Sequence, residues 1–133
     1  MQNIQMISLQ VSGDKRGSLI ALEENKNIPF DVKRIYYIFD TKTNVSRGFH
    51  AHYNLEQVAI CLKGSVTFIL DDGKERKSVL LNSPRVGLHI RGLIWREMHD
   101  FSDDCVLMVV ASEHYDEADY IRDYDTFLNE VLR

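Results

Sequence analysis

Short runs rich in Val, Ile, Phe and Tyr, separated by Gly, Pro, Asn, Asp or Ser, dominate the chain from Ile4 to Ser112. The pattern predicts β-strands at Ile4–Leu9, Gly17–Glu23, Val32–Asp40, Phe49–His52, Gln57–Lys63, Ser65–Asp71, Lys77–Leu81, Val86–Ile90, Trp95–Asp100 and Cys105–Ser112. Leu70–Lys74, which contains Gly73, has the chemistry of a hairpin turn, and Lys63–Ser65 and Asn82–Pro84 mark two further reversals. Many short strands at this spacing predict an all-β sandwich or barrel. The period changes near the end. Tyr120, Ile121, Tyr124, Phe127, Leu128 and Val131 recur at spacings that predict a helix over Glu117–Leu132 packed on the β body. Asp116 and Glu117 lie where a helix N-terminus favours negative charge.

Placed on these strands, several polar residues converge. Alternate residues of a strand share a face, so His50 and His52 project together, with Arg47 on the approach. Two imidazoles so placed suit either metal ligation or proton transfer near neutral pH. In Lys33–Tyr37, Arg34 and Tyr36 share one face while Ile35 and Tyr37 share the other. An inward Arg beside a Tyr suits a phosphate and a stacked ring or a sugar hydroxyl. Trp95–Arg96 sits where a barrel lining would turn toward the mouth, and Arg16 immediately precedes the strand expected from Gly17. A lone surface Arg or a solvated histidine pair is the plainer interpretation. The aromatic cluster of Tyr36, Tyr37 and Phe39 beside Arg47 and Gly48 weighs against it.

Composition narrows the function classes. With 133 residues and no linker or low-complexity segment, one domain spanning 1–133 is expected. A net charge of −4 argues against a nucleic-acid backbone as partner. No apolar run reaches the roughly 18 residues of a membrane span, and Met1–Gln5 lacks signal-peptide character. Cys61 and Cys105 sit inside apolar runs and are expected as buried free thiols, which fits a cytoplasmic protein. Phosphate-loop and dinucleotide glycine patterns are absent, so any diphosphate would rest on Arg and backbone contacts.

The histidine pair, Glu56 and Gly64 resemble the first motif of cupin barrels, with one extra residue between Glu and Gly. By the same resemblance, Trp95 stands where a metal-binding cupin supplies a later histidine, and His99 is off that spacing. Trp cannot coordinate a metal, and a first-row ion needs three or four ligands, so no metal is expected.

Taken together, Gly13–Leu19, Ile28–Phe30 with Lys33–Tyr37, Arg47–His52, Ile94–Met98 and Tyr115–Arg122 resemble the bacterial dTDP-4-keto-6-deoxyglucose 3,4-ketoisomerases over nearly the whole chain. These are small cupin isomerases of deoxysugar biosynthesis for O-antigens and other surface glycans. The resemblance implies a jelly-roll barrel with a short C-terminal helix, a homodimer that exchanges N-terminal strands, and no metal or redox cofactor. It implies dTDP-4-keto-6-deoxyglucose as substrate, His50 as base with His52 assisting, and Tyr36 among the catalytic groups. Arg34 and Arg47 would hold the sugar nucleotide or orient the pair. Arg16 and Arg96 occupy positions that vary between branches of opposite C4 configuration. Asp14–Leu19 resembles the branch giving the 3-keto-6-deoxygalactose product and Trp95–Met98 the other. A dTDP-sugar 3,5-epimerase and a noncatalytic sugar-nucleotide-binding cupin are the rival readings.

Overall fold

The computed structural model describes residues Met1–Arg133. Its strands are β1 (Ile4–Ser8), β2 (Ser12–Asp14), β3 (Gly17–Leu19), β4 (Arg34–Ile38), β5 (Arg47–His52), β6 (Gln57–Lys63), β7 (Val66–Asp71), β8 (Arg76–Leu81), β9 (Val86–Ile90), β10 (Trp95–His99), β11 (Val106–Ala111) and β12 (Tyr120–Ile121). One helix, α1 (Tyr124–Val131), closes the chain. Two five-stranded antiparallel sheets, in the orders β1-β9-β6-β11-β4 and β12-β5-β10-β7-β8, face each other as a jelly roll. No helix is long and apolar enough to cross a membrane.

Between the sheets lies the main core, where alternation brings Ala59 and Cys61, Val66, Phe68 and Leu70, Leu88 and Ile90, and Leu107 and Val109 inward. Strand β6 is buried on both faces. Its outward Val58 and Ile60 lie under Leu9, Ile28 and Phe30, which cross the back of the first sheet. A strand covered on both sides reads as a continuous apolar run, as Val58–Leu62 does. Cys61 and Cys105 are free and buried, with sulfurs 3.9 Å apart, and burial pushes the Cys105 thiol up to about 12.

The N-terminal region departs from expectation. Only Gly17–Leu19 of the anticipated Gly17–Glu23 strand is regular, and it pairs with β2 as a hairpin whose residues are all exposed. Beyond it, the chain runs as an irregular cover on the first sheet.

The C-terminal region departs more usefully. Instead of one helix over Glu117–Leu132, a 3-10 turn at Glu117–Asp119 leads into β12, and α1 starts only at Tyr124. Asp116 caps the turn through the Ala118 amide, and Asp123 caps α1 through the Thr126 amide. Between the caps, Tyr120 and Ile121 pair with His52 and Ala51 of β5. Ile121 then packs with Ala51, Trp95 and the fully buried Phe127 under α1, while Tyr120 faces the opposite way, into the barrel. A strand pair followed by a helix happens to reproduce helical spacing.

Phe127 therefore holds β12 against β5. Phe127→Ala is expected to cost about 3–5 kcal/mol in chemical denaturation, the usual range for a fully buried Phe. The variant should also lose activity disproportionately, because Tyr120 is no longer fixed beside His52.

Candidate active site

The site is built where both sheets turn polar residues inward at one end of the barrel. From the second sheet, the register places Arg96 opposite His50 and Tyr120 opposite His52, so all four side chains share the inner face. The His50 and His52 rings lie 4.9 Å apart edge to face, and Tyr120 sits 5.0 and 4.2 Å from them. From the first sheet, Arg34 and Tyr36 of β4 and Gln57 of β6 point across at them. The expected sharing of one face by Arg34 and Tyr36 holds: both are half-buried, with Ile35 and Tyr37 exposed behind.

A distortion in β5 sets the aim of the pair. The register against β10 shifts between Arg96 and Glu97, leaving Phe49 as an extra residue, with φ +92° at Gly48 and +61° at Phe49. Bulges of this kind re-aim the side chains that follow. A side chain at Gly48 would meet the Arg96 carbonyl at 3.0 Å, so glycine is required both by the close approach and by its φ.

The geometry assigns Trp95 and Arg96 opposite roles. Trp95 turns outward, 4% exposed, donating its indole N–H to Glu97 at 2.9 Å and packing on Tyr124 and Phe127. The side chain of β10 that accompanies the histidines is therefore Arg96. It is 2% exposed, and its guanidinium donates to Gln57 Oε1 at 2.6 Å and to the Ile94 carbonyl at 2.9 Å. Burial lowers it to about 10, so it remains a cation at neutral pH.

This cation and desolvation act together on the imidazoles. Burial first and Arg96 second lower His50 to about 4. The same two causes, followed by His50, Arg34 and Arg122, lower His52 to about 2. Asp119 comes within 3.3 Å of His52 Nδ1, yet His52 is held neutral. The carboxylate is engaged elsewhere, accepting the Asn54 and Leu55 amides at 2.8 and 3.1 Å, and neither ring nitrogen of His52 has a hydrogen-bond partner in the protein. Both histidines are thus neutral bases near pH 7. Burial likewise raises Tyr36, which keeps its proton.

Two adjoining hollows of about 490 and 500 Å³ share Arg34, Tyr115 and Tyr120. His52 and Asp119 line one; His50, Tyr36, Arg47 and Arg122 line the other. The Arg34 guanidinium stands 5.3 and 5.7 Å from the Tyr36 and Tyr115 ring centres, and Arg122 stands 4.3 Å from that of Tyr120. Arg16 is absent from this lining: it lies on the β2–β3 hairpin, ion-paired with Asp14 and exposed to solvent.

A space lined by cations and aromatic faces, with neutral bases on its floor, suits an anion carrying rings. Comparison with known proteins agrees. The family model described as "WxcM-like, C-terminal" (FdtA) matches residues 2–132. The chain is also 59% identical to the TDP-4-oxo-6-deoxy-alpha-D-glucose-3,4-oxoisomerase of Aneurinibacillus thermoaerophilus, covering 100% of this chain and 95% of that one. It belongs to the sugar-nucleotide 3,4-ketoisomerase family. Among solved structures, a 3,4-ketoisomerase from Helicobacter canadensis superposes with a TM-score of 0.97 at 50% identity, covering 98% of both chains. A His-to-Asn variant of the Thermoanaerobacterium thermosaccharolyticum 3,4-ketoisomerase, solved with TDP-4-keto-6-deoxyglucose, gives 0.96 at 47% identity over 98% of this chain and 95% of that one.

In this ketoisomerase, the structure brings His50, His52, Tyr36, Arg34, Arg47 and Arg96 to one end of the barrel. It adds Gln57, Asp119, Tyr120 and Arg122. Asp119, Tyr120 and Arg122 fall inside Tyr115–Arg122, a stretch that carried the family resemblance, but a helical reading hid their aim. Gln57 offered no signal beyond being polar at the start of a strand.

The lowered imidazoles fix two pH dependences. The kcat/KM profile of the free enzyme should lack an inflection near the ordinary imidazole pKa of about 6.5 and fall only toward pH 4, the value set for His50. Below about pH 6.5 the unfolded chain binds protons that the folded one refuses, so stability should decline as pH falls through that point. Thermal melts at pH 5 and 7 check the second, and a midpoint no lower at pH 5 would contradict it.

Proposed function

We propose that this protein interconverts dTDP-4-keto-6-deoxyglucose and a dTDP-3-keto-6-deoxyhexose by proton transfer within the barrel. The observation that carries the reading is two neutral imidazoles 4.9 Å apart on the lining of two adjoining hollows, with a protonated tyrosine beside His50 and arginines flanking both. In a 4-keto sugar the C3 hydrogen is α to the carbonyl and acidic enough for such a base. His50 removes it, and the electrons of the C3–H bond become the C3=C4 bond of an enediol. The C4 oxygen becomes an enolate or hydroxyl, which Tyr36 stabilises by donating a hydrogen bond. Return of a proton to C4, with loss of the proton on O3, leaves the carbonyl at C3. His52 assists in holding and passing the proton. One carbon is oxidised as its neighbour is reduced, so the atoms and electrons balance with no redox cofactor or metal.

Arg34 and Arg47 are the groups this reading assigns to the diphosphate and sugar, because they line the cavity with their donors unpaired, whereas Arg122 beside them is ion-paired with Glu117. Arg96 acts from beneath, its donors engaged by Gln57 and Ile94. That leaves Arg16 as the branch-distinguishing residue free to reach the ring, and the Asp14–Leu19 stretch favours the galacto configuration at C4.

Arg16 reaches a site only from another subunit, and two features support a homodimer that exchanges the N-terminal hairpin. The β2–β3 hairpin stands clear of its own body, and Ile35, Tyr37, Phe39 and Leu62 are 56, 63, 58 and 43% exposed on the back of the first sheet. Strand β1 itself pairs with β9 of the same chain, so exchange falls on the hairpin. The cytoplasm, where free thiols persist, is the compartment this reading assigns.

NMR of the reaction in deuterated buffer tests the activity. The carbonyl should move from C4 to C3 with deuterium entering at C4, and the H4–H5 coupling of product made in a parallel reaction in ordinary water should report a galacto configuration. Exchange without carbonyl migration would indicate a 3,5-epimerase, and binding without exchange a noncatalytic protein. His50→Asn should lower kcat by at least about two orders of magnitude, as loss of a general base does, while retaining TDP binding. Activity should survive exhaustive chelation. Sedimentation should give a dimer, and mixing Arg16→Ala with His50→Asn subunits should restore activity by forming one intact site. An active monomer would refute the exchange.

A further inference from the structure

Gln57 lies between the buried guanidinium and the tyrosine, 4% exposed on the first residue of β6. Its side-chain oxygen accepts from Arg96 Nη1 at 2.6 Å, and its nitrogen donates to the Tyr36 hydroxyl oxygen at 3.0 Å. The orientation of this amide is forced by chemistry. A guanidinium has donors only, so the amide oxygen must face Arg96 and the amide NH₂ must face Tyr36. The Ile94 carbonyl, accepting Nη2 at 2.9 Å, fixes Arg96 from its other side.

The consequence falls on one hydrogen atom. The Tyr36 oxygen is obliged to accept from Gln57, so its own O–H cannot point there. Arg34, stacked over the Tyr36 ring, is also donor-only and cannot take that proton. What remains is the cavity that Tyr36 lines together with His50 and Arg47.

We propose that Gln57 is a positioning residue for the isomerisation, locked by Arg96 so that the Tyr36 hydroxyl presents its proton to the sugar's enediol oxygen. The proposal rests on the reading of Tyr36 as the group that stabilises that oxygen. Substituting the amide by an acceptor of the same shape would reverse the relay. A carboxylate at 57 pairs with Arg96 and also accepts the Tyr36 O–H, turning its proton away from the substrate.

Steady-state kinetics of Gln57→Glu, Gln57→Met, Tyr36→Phe and the two double variants, with TDP affinity and melting temperature measured alongside, test the proposal. Loss of one oxyanion donor typically costs about 10²–10³ in kcat. Gln57→Glu should lose about that much in kcat, with KM and TDP affinity little changed and with melting temperature kept by the new Arg96 ion pair. Gln57→Met, which supplies no competing acceptor, should lose less. On the Tyr36→Phe background Gln57→Met should lower kcat no further, and Gln57→Glu, which also neutralises Arg96, should lower it by less than it does with Tyr36 present. A merely structural role predicts the opposite order, because Met leaves Arg96 unpaired where Glu does not. If Gln57→Glu fails to fold, Gln57→Met alone decides, by its loss with Tyr36 present and its silence without it. If Tyr36→Phe is impaired but the Gln57 substitutions are harmless, or equally damaging on both backgrounds, the Tyr36 reading stands and the Gln57 proposal falls. Wild-type kcat in Tyr36→Phe would overturn both.

Discussion

A guanidinium buried without a carboxylate partner is the constraint on which the rest of the site depends. Burying an ion is costly unless hydrogen bonds replace its water, and Arg96 obtains them from one amide oxygen and one backbone carbonyl, with Nε left without a partner. A carboxylate in contact would have made the burial easier and cancelled the field. Without one, the positive potential falls on the imidazoles and the phenol around it. It favours neutral histidines and an electron-rich species in the cavity, as the proposed enolate chemistry would require. The unneutralised charge is thus placed where the proposed proton transfer would develop negative charge.

The fold supplies the geometry for this arrangement through its two sheets. Neither sheet alone contains the site: the histidines, Arg96 and Tyr120 come from one, and Arg34, Tyr36 and Gln57 from the other. Their separation is set by the apolar core below, so packing of residues such as Leu70 and Val109 governs distances between polar groups above. The outer clamps are equally specific. Trp95, Ala51, Ile121 and Phe127 hold the outward side of the same strands whose inward residues line the polar cavity. Alternation along β5, β10 and β12 thus ties each inward polar side chain to a core residue next to it.

Much of this was legible in the chain because strands translate directly into faces. The shared face of His50 and His52, that of Arg34 and Tyr36, and the turn at Asp72–Gly73 all follow from period-two logic and turn chemistry. The misreading at Glu117–Leu132 has a physical reason. Tyr120 and Ile121 are adjacent and face opposite ways, which in a helix would be unremarkable, and only the caps at Asp116 and Asp123 reveal the break. The extra residue at Phe49 left no mark either, since a bulge depends on the partner strand. Gln57 was invisible because its role comes from neighbours distant in sequence, Tyr36 and Arg96.

The protonation state of the histidine pair tests the central claim most directly. Long-range ¹H–¹⁵N correlation spectra of the imidazole rings, recorded from pH 8 to 5 on the wild type and on Arg96→Met, report each ring nitrogen separately. The account predicts that His50 and His52 stay neutral throughout in the wild type, and that both begin to titrate at higher pH once the buried cation is removed. Imidazolium signals with midpoints near 6.5 in the wild type, unmoved by Arg96→Met, would contradict it.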